Sequence, residues 1–100
     1  MATTYLVIYK PGPAWLPGRP MAEQPLKEHG RYMLSLYAKG IMKMAGPFSD
    51  DAGGAAMIEA ADQDAARTLI AADPGVASGV FVTEMYPWAL VPWESYLKPR

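Results

Sequence analysis

His29 is the single histidine of the chain. Imidazole is the side chain whose ordinary pKa, about 6.5, lets it take or give a proton near neutrality. His29 sits early in a segment with helical spacing, on the face marked by the apolar residues. Asp73 stands in Ala72-Asp73-Pro74-Gly75, where a second such segment ends. An acid at the C-terminal end of a helix opposes the helix dipole and gains from a compensating partner. The His29 ring would be such a partner, and the bond would fix its tautomer and orientation, as the second member of a catalytic pair does. Both residues also have a plain structural reading. His29 is then a partly buried histidine bonded to backbone, and Asp73-Pro74 is ordinary turn chemistry.

Other polar residues are weaker candidates. Trp15 and Arg19 belong to KPGPAWLPGRPM, Lys10 to Met21. This loop is either a plain surface segment or a lid whose Arg19 grips an acidic substrate bidentately. Glu84 is the odd acid of a mostly apolar strand, facing the mouth of a site or bridging to a second chain. Met33, Met42, Met44 and Met57 read as core filler and flexible pocket lining. One histidine and scattered carboxylates form no recognisable metal-ligand set, so no metal is expected. No phosphate loop or dinucleotide fingerprint is present, and no cofactor is expected.

The elements that must position these groups follow from periodicity. Thr3–Tyr9 is a strand with both faces apolar. Four prolines and two glycines break regular structure from Lys10 to Met21. Leu26, His29, Met33, Leu36, Tyr37 and Gly40 share one face of a helix over Gln24–Lys39. Ile41–Ala45 and Ala55–Ala60 form a hairpin around the turn-rich Ser49-Asp50-Asp51-Ala52-Gly53-Gly54. Asp62 caps a second helix running to Ala72, which Asp73-Pro74-Gly75 ends. Gly79–Tyr86 is the last strand. The order β-α-β-β-α-β is the ferredoxin-like, split βαβ pattern of an α+β fold. Its two helices cover one face of an antiparallel sheet. The other face, also apolar, needs a cover, and a second copy of the chain is the simplest one.

Composition narrows the partners. The chain has 100 residues, 51% hydrophobic and 19% charged, which suits one domain spanning residues 1–100 with a core over about 3–88. The tail 89–100, with Trp93, Tyr96 and Leu97, is expected to pack on the domain or on a partner chain. A net charge of −1 with scattered Lys and Arg argues against nucleic acid. The absence of cysteine excludes disulfides and thiol chemistry. No signal peptide or spanning segment is read, so no membrane partner and a cytoplasmic location are expected.

The chain resembles the YciI-like (YCII-related, formerly DGPF) domains. The features that carry the likeness are YLVIY, EHGRYMLSLYAKG, GPFSDDAGGAAMIEAA, ADQDAARTLIAADPGVASGVF and EMYPW, in this order from Thr4 to about Trp88. The resemblance implies a ferredoxin-like fold that dimerises into an α+β barrel, and a His and an Asp at the active site. These fall on His29 in EHGRYM and Asp73 in ADPGV. It further implies that the hairpin loop rims the site, which makes Ser49 and Asp50 candidate substrate contacts beside Trp15, Arg19 and Glu84. A relative in that family eliminates chloride from chlorinated muconolactones. The expectation is therefore a homodimeric, cofactor-independent enzyme. It would act as a lyase, isomerase or dehalogenase on a small acidic or lactone-type molecule. The alternative is a dimeric module that binds a small molecule, or serves in stress, without turnover.

Overall fold

Tyr5, Val7 and Tyr9 alternate with Leu6 and Ile8 along the first strand, and the fold buries the odd-numbered set. The computed structural model describes residues 2–97. In it β1 (Thr3–Pro11) is a central strand of a four-stranded sheet ordered β2-β3-β1-β4. β2 (Met42–Pro47), β3 (Gly54–Ala60) and β4 (Phe81–Pro87) complete it, and every neighbouring pair is antiparallel. Helices α1 (Lys27–Ala38), α2 (Gln63–Ala71) and the single turn α3 (Pro74–Ala77) pack on one face. The fold is α+β and ferredoxin-like, as the order of periods requires.

Three of the departures from the sequence expectation have a clear local reason. α1 starts at Lys27 rather than Gln24, because Gln24 precedes Pro25 and is held extended at φ −78°, ψ 152°. Asp73 does not simply stop α2. Its carboxylate accepts the Gly75 N–H at 2.8 Å and caps α3, whose first residue, Pro74, has its φ already set for a helix. In β2 the register shifts between Met42 and Met44, so Lys43 is bulged out of the ladder. Met42 is therefore buried under the helices while Met44 faces away from them, 65% exposed.

The core lies between sheet and helices. Tyr5, Val7, Tyr9, Ala56, Ile58 and Phe81 of the sheet meet Met33, Leu36, Ala66 and Ile70 of the helices. Tyr37 lies beyond the edge of the buried stripe and is exposed. Tyr32 takes the place assigned to it, its hydroxyl donating to the Leu69 carbonyl and tying α1 to α2. The opposite face carries Leu6, Ile8, Met44, Met57, Val82 and Tyr86, with no helix or strand of the described residues over it. After Trp88, whose N–H bonds the Thr4 carbonyl, the tail runs away from the domain. The molecule measures 54 × 28 × 22 Å, with a radius of gyration of 15.1 Å. A rounded chain of this length would have about 13 Å. Trp93, Tyr96 and Leu97 are thus 71–82% exposed and do not pack on their own domain. The end of the expected tail, residues 98–100, lies outside the described residues. No helix among the described residues is long and apolar enough to cross a membrane.

Candidate functional site

The first turn of α1 and the cap of α3 meet over the sheet. His29 is the third residue of α1, and its Nδ1 lies 2.7 Å from Asp73 Oδ2 and 2.9 Å from Oδ1. Asp73 is 1% exposed, and Oδ1 also accepts the Gly75 N–H. A carboxylate that accepts from an N–H on one side is an acceptor on the other. With Asp73 ionised both of its oxygens only accept, so Nδ1 is the ring's donor to it, which leaves Nε2 as the nitrogen that a neutral ring can offer to a proton. The backbone of α3 approaches the ring so closely that a Cβ on Gly75 would stand 3.0–3.2 Å from His29 Cβ, Nδ1 and Cγ. Glycine is what lets the cap and the ring share this space.

Two aromatic edges hold the ring from the sheet side. Tyr9 and Phe81 lie 5.7 and 5.2 Å from it, centroid to centroid, at interplanar angles of 69° and 67°. Trp15 backs Phe81 at 6.0 Å. In front of His29 opens a largely apolar cavity of about 330 Å³, walled by Tyr9, Met21, Leu26, Met33, Met42 and Phe81. This is the size of a small-molecule site. Burial pushes the Tyr9 phenol well above its ordinary range, and the negative charge of Asp73 acts in the same direction.

The Pro-rich loop is pinned at the rim by one buried side chain. The Gln24 amide donates to the carbonyls of Leu16 (3.0 Å) and Arg19 (2.9 Å) and accepts from the Leu16 N–H (2.8 Å). Asp51, at the hairpin tip, accepts the Met21 N–H and joins the two loops.

Of the sequence candidates, His29 and Asp73 are in contact, and Trp15 supports their surroundings through Phe81. The others lie elsewhere. Arg19 is exposed and pairs with Glu23 at 3.3 Å. Ser49 and Asp50 sit exposed in the hairpin turn, with Asp50 capping the Ala52 N–H. Glu84 shares the parity of Val82 and Tyr86, so it lies on the helix-free face, bonded to Lys10 (2.9 Å) and the Tyr86 hydroxyl (3.0 Å). Tyr9, Gln24, Gly75 and Phe81 were not singled out. The Pro after Gln24 could have flagged a side chain turned back on the loop.

The same arrangement of elements recurs in a solved structure, 5-chloro-2-hydroxyhydroquinone dehydrochlorinase (TftG) from Burkholderia phenoliruptrix AC1100, in complex with 2,5-dihydroxybenzoquinone. It superposes with a TM-score of 0.62 at 21% identity, over 86% of this chain and 93% of that one. The protein YjpA of Bacillus subtilis (strain 168) is 42% identical over 62 residues, which are 62% of this chain and 73% of YjpA. The family model for the YCII-related domain matches residues 3–89. With that match spanning strand, hairpin, both long helices and the His29 and Asp73 segments, the chain belongs to the YCII-related domain family.

Proposed function

We propose that this protein is a cofactor-independent enzyme that removes a proton from a small ring-shaped organic molecule, with elimination or isomerisation as the outcome. The observation that carries this reading is the bond from His29 Nδ1 to the buried Asp73 beside an apolar cavity of about 330 Å³. His29 Nε2 accepts the proton. The electron pair left behind either expels a leaving group, such as chloride, or shifts a double bond. Asp73 holds the ring in the basic tautomer and stabilises the imidazolium while it carries the proton. In an elimination the proton and the leaving group both depart. In an isomerisation His29 returns the proton to another atom.

Among the described residues the cavity wall holds no lysine or arginine, and Arg19 is engaged with Glu23 outside it. This favours a molecule that enters uncharged, a lactone or a hydroxylated ring, over a carboxylic acid. The dehydrochlorinase of similar fold acts on a molecule of that kind. The protein works as a homodimer in this reading. The apolar face bearing Leu6, Met44 and Met57, with the unpacked tail around Trp93, supplies the surface that a second copy would cover.

The test is turnover of 5-chloro-2-hydroxyhydroquinone and of chlorinated lactones, followed by chloride release and ring absorbance. His29→Ala is expected to lower the rate about 10²–10⁴-fold, the usual worth of a general base, while leaving the fold intact. Binding without turnover by the unaltered protein would instead make it a binding module. Equal rates for the variant and the unaltered protein would remove His29 from the chemistry.

A further inference from the structure

Beside His29, the buried or half-buried polar side chains around the site include Gln24, Asp73, Tyr32 and Tyr9, and the first three of these have strong partners. Gln24 makes three hydrogen bonds to the loop. Asp73 holds His29 and the Gly75 N–H. Tyr32 donates to the Leu69 carbonyl. Tyr9 differs: it is 6% exposed, and among the described residues its hydroxyl has one partner, the Met33 sulfur at 3.8 Å. A thioether is a weak acceptor. A buried hydroxyl without an oxygen or nitrogen acceptor opposes folding, and phenylalanine would fill the same space without that penalty.

Tyr9 and Met33 both wall the cavity that His29 opens onto. With the Tyr9 ring 5.7 Å from the imidazole, a molecule that reaches His29 also lies against Tyr9. Gly53 fixes the strand beneath. Its φ is +129°, and a Cβ there would stand 2.0 Å from the Tyr9 carbonyl oxygen, so the hairpin clamps the Tyr9 backbone.

We propose that Tyr9 is a third catalytic residue, whose hydroxyl leaves Met33 and donates a hydrogen bond to the ring oxygen that gains negative charge as His29 removes the proton. This rests on the acid–base reading above and adds the group that stabilises the charge His29 creates. Aimed in advance and shielded from water, such a donor acts on the transition state more than on the entering substrate. Burial and the nearby Asp73 keep the phenol protonated, so it donates and does not compete with His29 as base. The ligand it fits is an uncharged ring bearing a carbonyl or hydroxyl next to the carbon or oxygen that loses the proton.

Tyr9→Phe tests this in two ways. Without ligand, the variant is expected to melt at the same temperature as the unaltered protein or slightly above it. A fall of about 5 °C or more would give the hydroxyl a structural task and overturn the proposal. With ligand, calorimetric titration with 2,5-dihydroxybenzoquinone is expected to show about tenfold weaker binding. Turnover of 5-chloro-2-hydroxyhydroquinone is expected to lose roughly ten- to hundredfold in kcat, with KM changed less than threefold and the shape of the pH profile kept. If His29→Ala abolishes turnover but Tyr9→Phe matches the unaltered protein within twofold, Tyr9 alone is wrong. If the unaltered protein neither binds nor converts these rings, the acid–base reading falls and this inference with it.

Discussion

The two faces of the sheet are built from similar residues and come to different ends. Under the helices, Tyr9, Met42, Ala45 and Phe81 wall a cavity about 330 Å³ in size that contains His29. On the open face, Leu6, Met44, Met57 and Trp88 wall a second depression of about 340 Å³, lined among the described residues by no acid, base or nucleophile. The two share Ala45, Gly46, Pro47 and Ala55, so one thin hairpin edge separates them. Size and apolarity are therefore equal on both sides. What separates them is one buried acid with a base attached. In the reading proposed above the covered face carries the base, whereas the open face offers only apolar surface, which is what an interface between chains needs.

The largest effect should come from removing that acid. Asp73→Ala takes away the cap of α3, leaves the Gly75 N–H unpaired and frees the His29 ring. We expect about 3 kcal/mol of lost stability in urea unfolding, from a cap and a buried charged hydrogen bond together. Asp73→Asn keeps the cap and the shape, so its stability should fall by about 1 kcal/mol or less. Turnover by this variant should drop roughly 10²-fold, because the imidazolium loses its counter-charge. Equal stability for Asp73→Ala and the unaltered protein would return Asp73 to a turn residue.

On the open face the matching change is Met57→Lys, which leaves the helix-covered core alone. A standard interface buries about 1,200–2,000 Å², and a charge at its centre is poorly tolerated. The variant should be monomeric by light scattering at concentrations where the unaltered protein is dimeric, and its circular dichroism should be unchanged. A unaltered protein that stays monomeric at every concentration would end the dimer proposal and leave the open face as bare surface.

A smaller effect probes the contact between ring and helix. Gly75→Ala places a methyl 3.0–3.2 Å from three atoms of His29, so the ring must yield by a few tenths of an ångström. We expect a stability change of about 1 kcal/mol and a loss of activity of about tenfold, since misplaced catalytic groups lose rate steeply. An unchanged kcat would mean that the ring position is not critical.

These contrasts also explain what could be read from the sequence. The order of elements was legible because YLVIY, the 3.6-residue spacing through Met33 and Leu36, and the Gly-Pro breaks are local signals. The nearness of His29 and Asp73 depends on antiparallel helices bringing together groups 44 residues apart. Only the topology supplies that, once the order of elements is known. The bulge at Lys43 was not legible, because the register of β2 is set by its partner β3 and not by its own residues. Nor was the role of Tyr9, since a strand apolar on both faces gives no parity signal for which side is covered. Glu84 could be assigned to neither side for the same reason: of its two readings, the structure removes the mouth of the covered cavity, since the acid faces the open side.

Glu84 makes the sharpest small test, because it resembles Asp73 in type and opposes it in setting. Both are acids bonded to a potential cation, Lys10 in one case and His29 in the other. Hydrogen bonds from Lys10 and Tyr86 lower the Glu84 pKa, and the bond to Glu84 raises that of Lys10. The lowered acid contributes stability that is present above the ordinary glutamate pKa and lost as pH falls through its depressed value. The raised lysine contributes stability that is present below the ordinary lysine pKa and lost as pH rises through its elevated value. The pair is therefore intact across neutral pH. Yet its side chains are 52% and 45% exposed, and water and salt screen such pairs until little remains. Glu84→Gln should leave turnover unchanged and shift the melting temperature at pH 7 by about a degree or less, a difference that 1 M salt erases. A larger shift that grows with protein concentration would mean that the second copy covers this pair as well as Leu6 and Met57. The interface would then reach across β4, and the open face would be buried along its whole width.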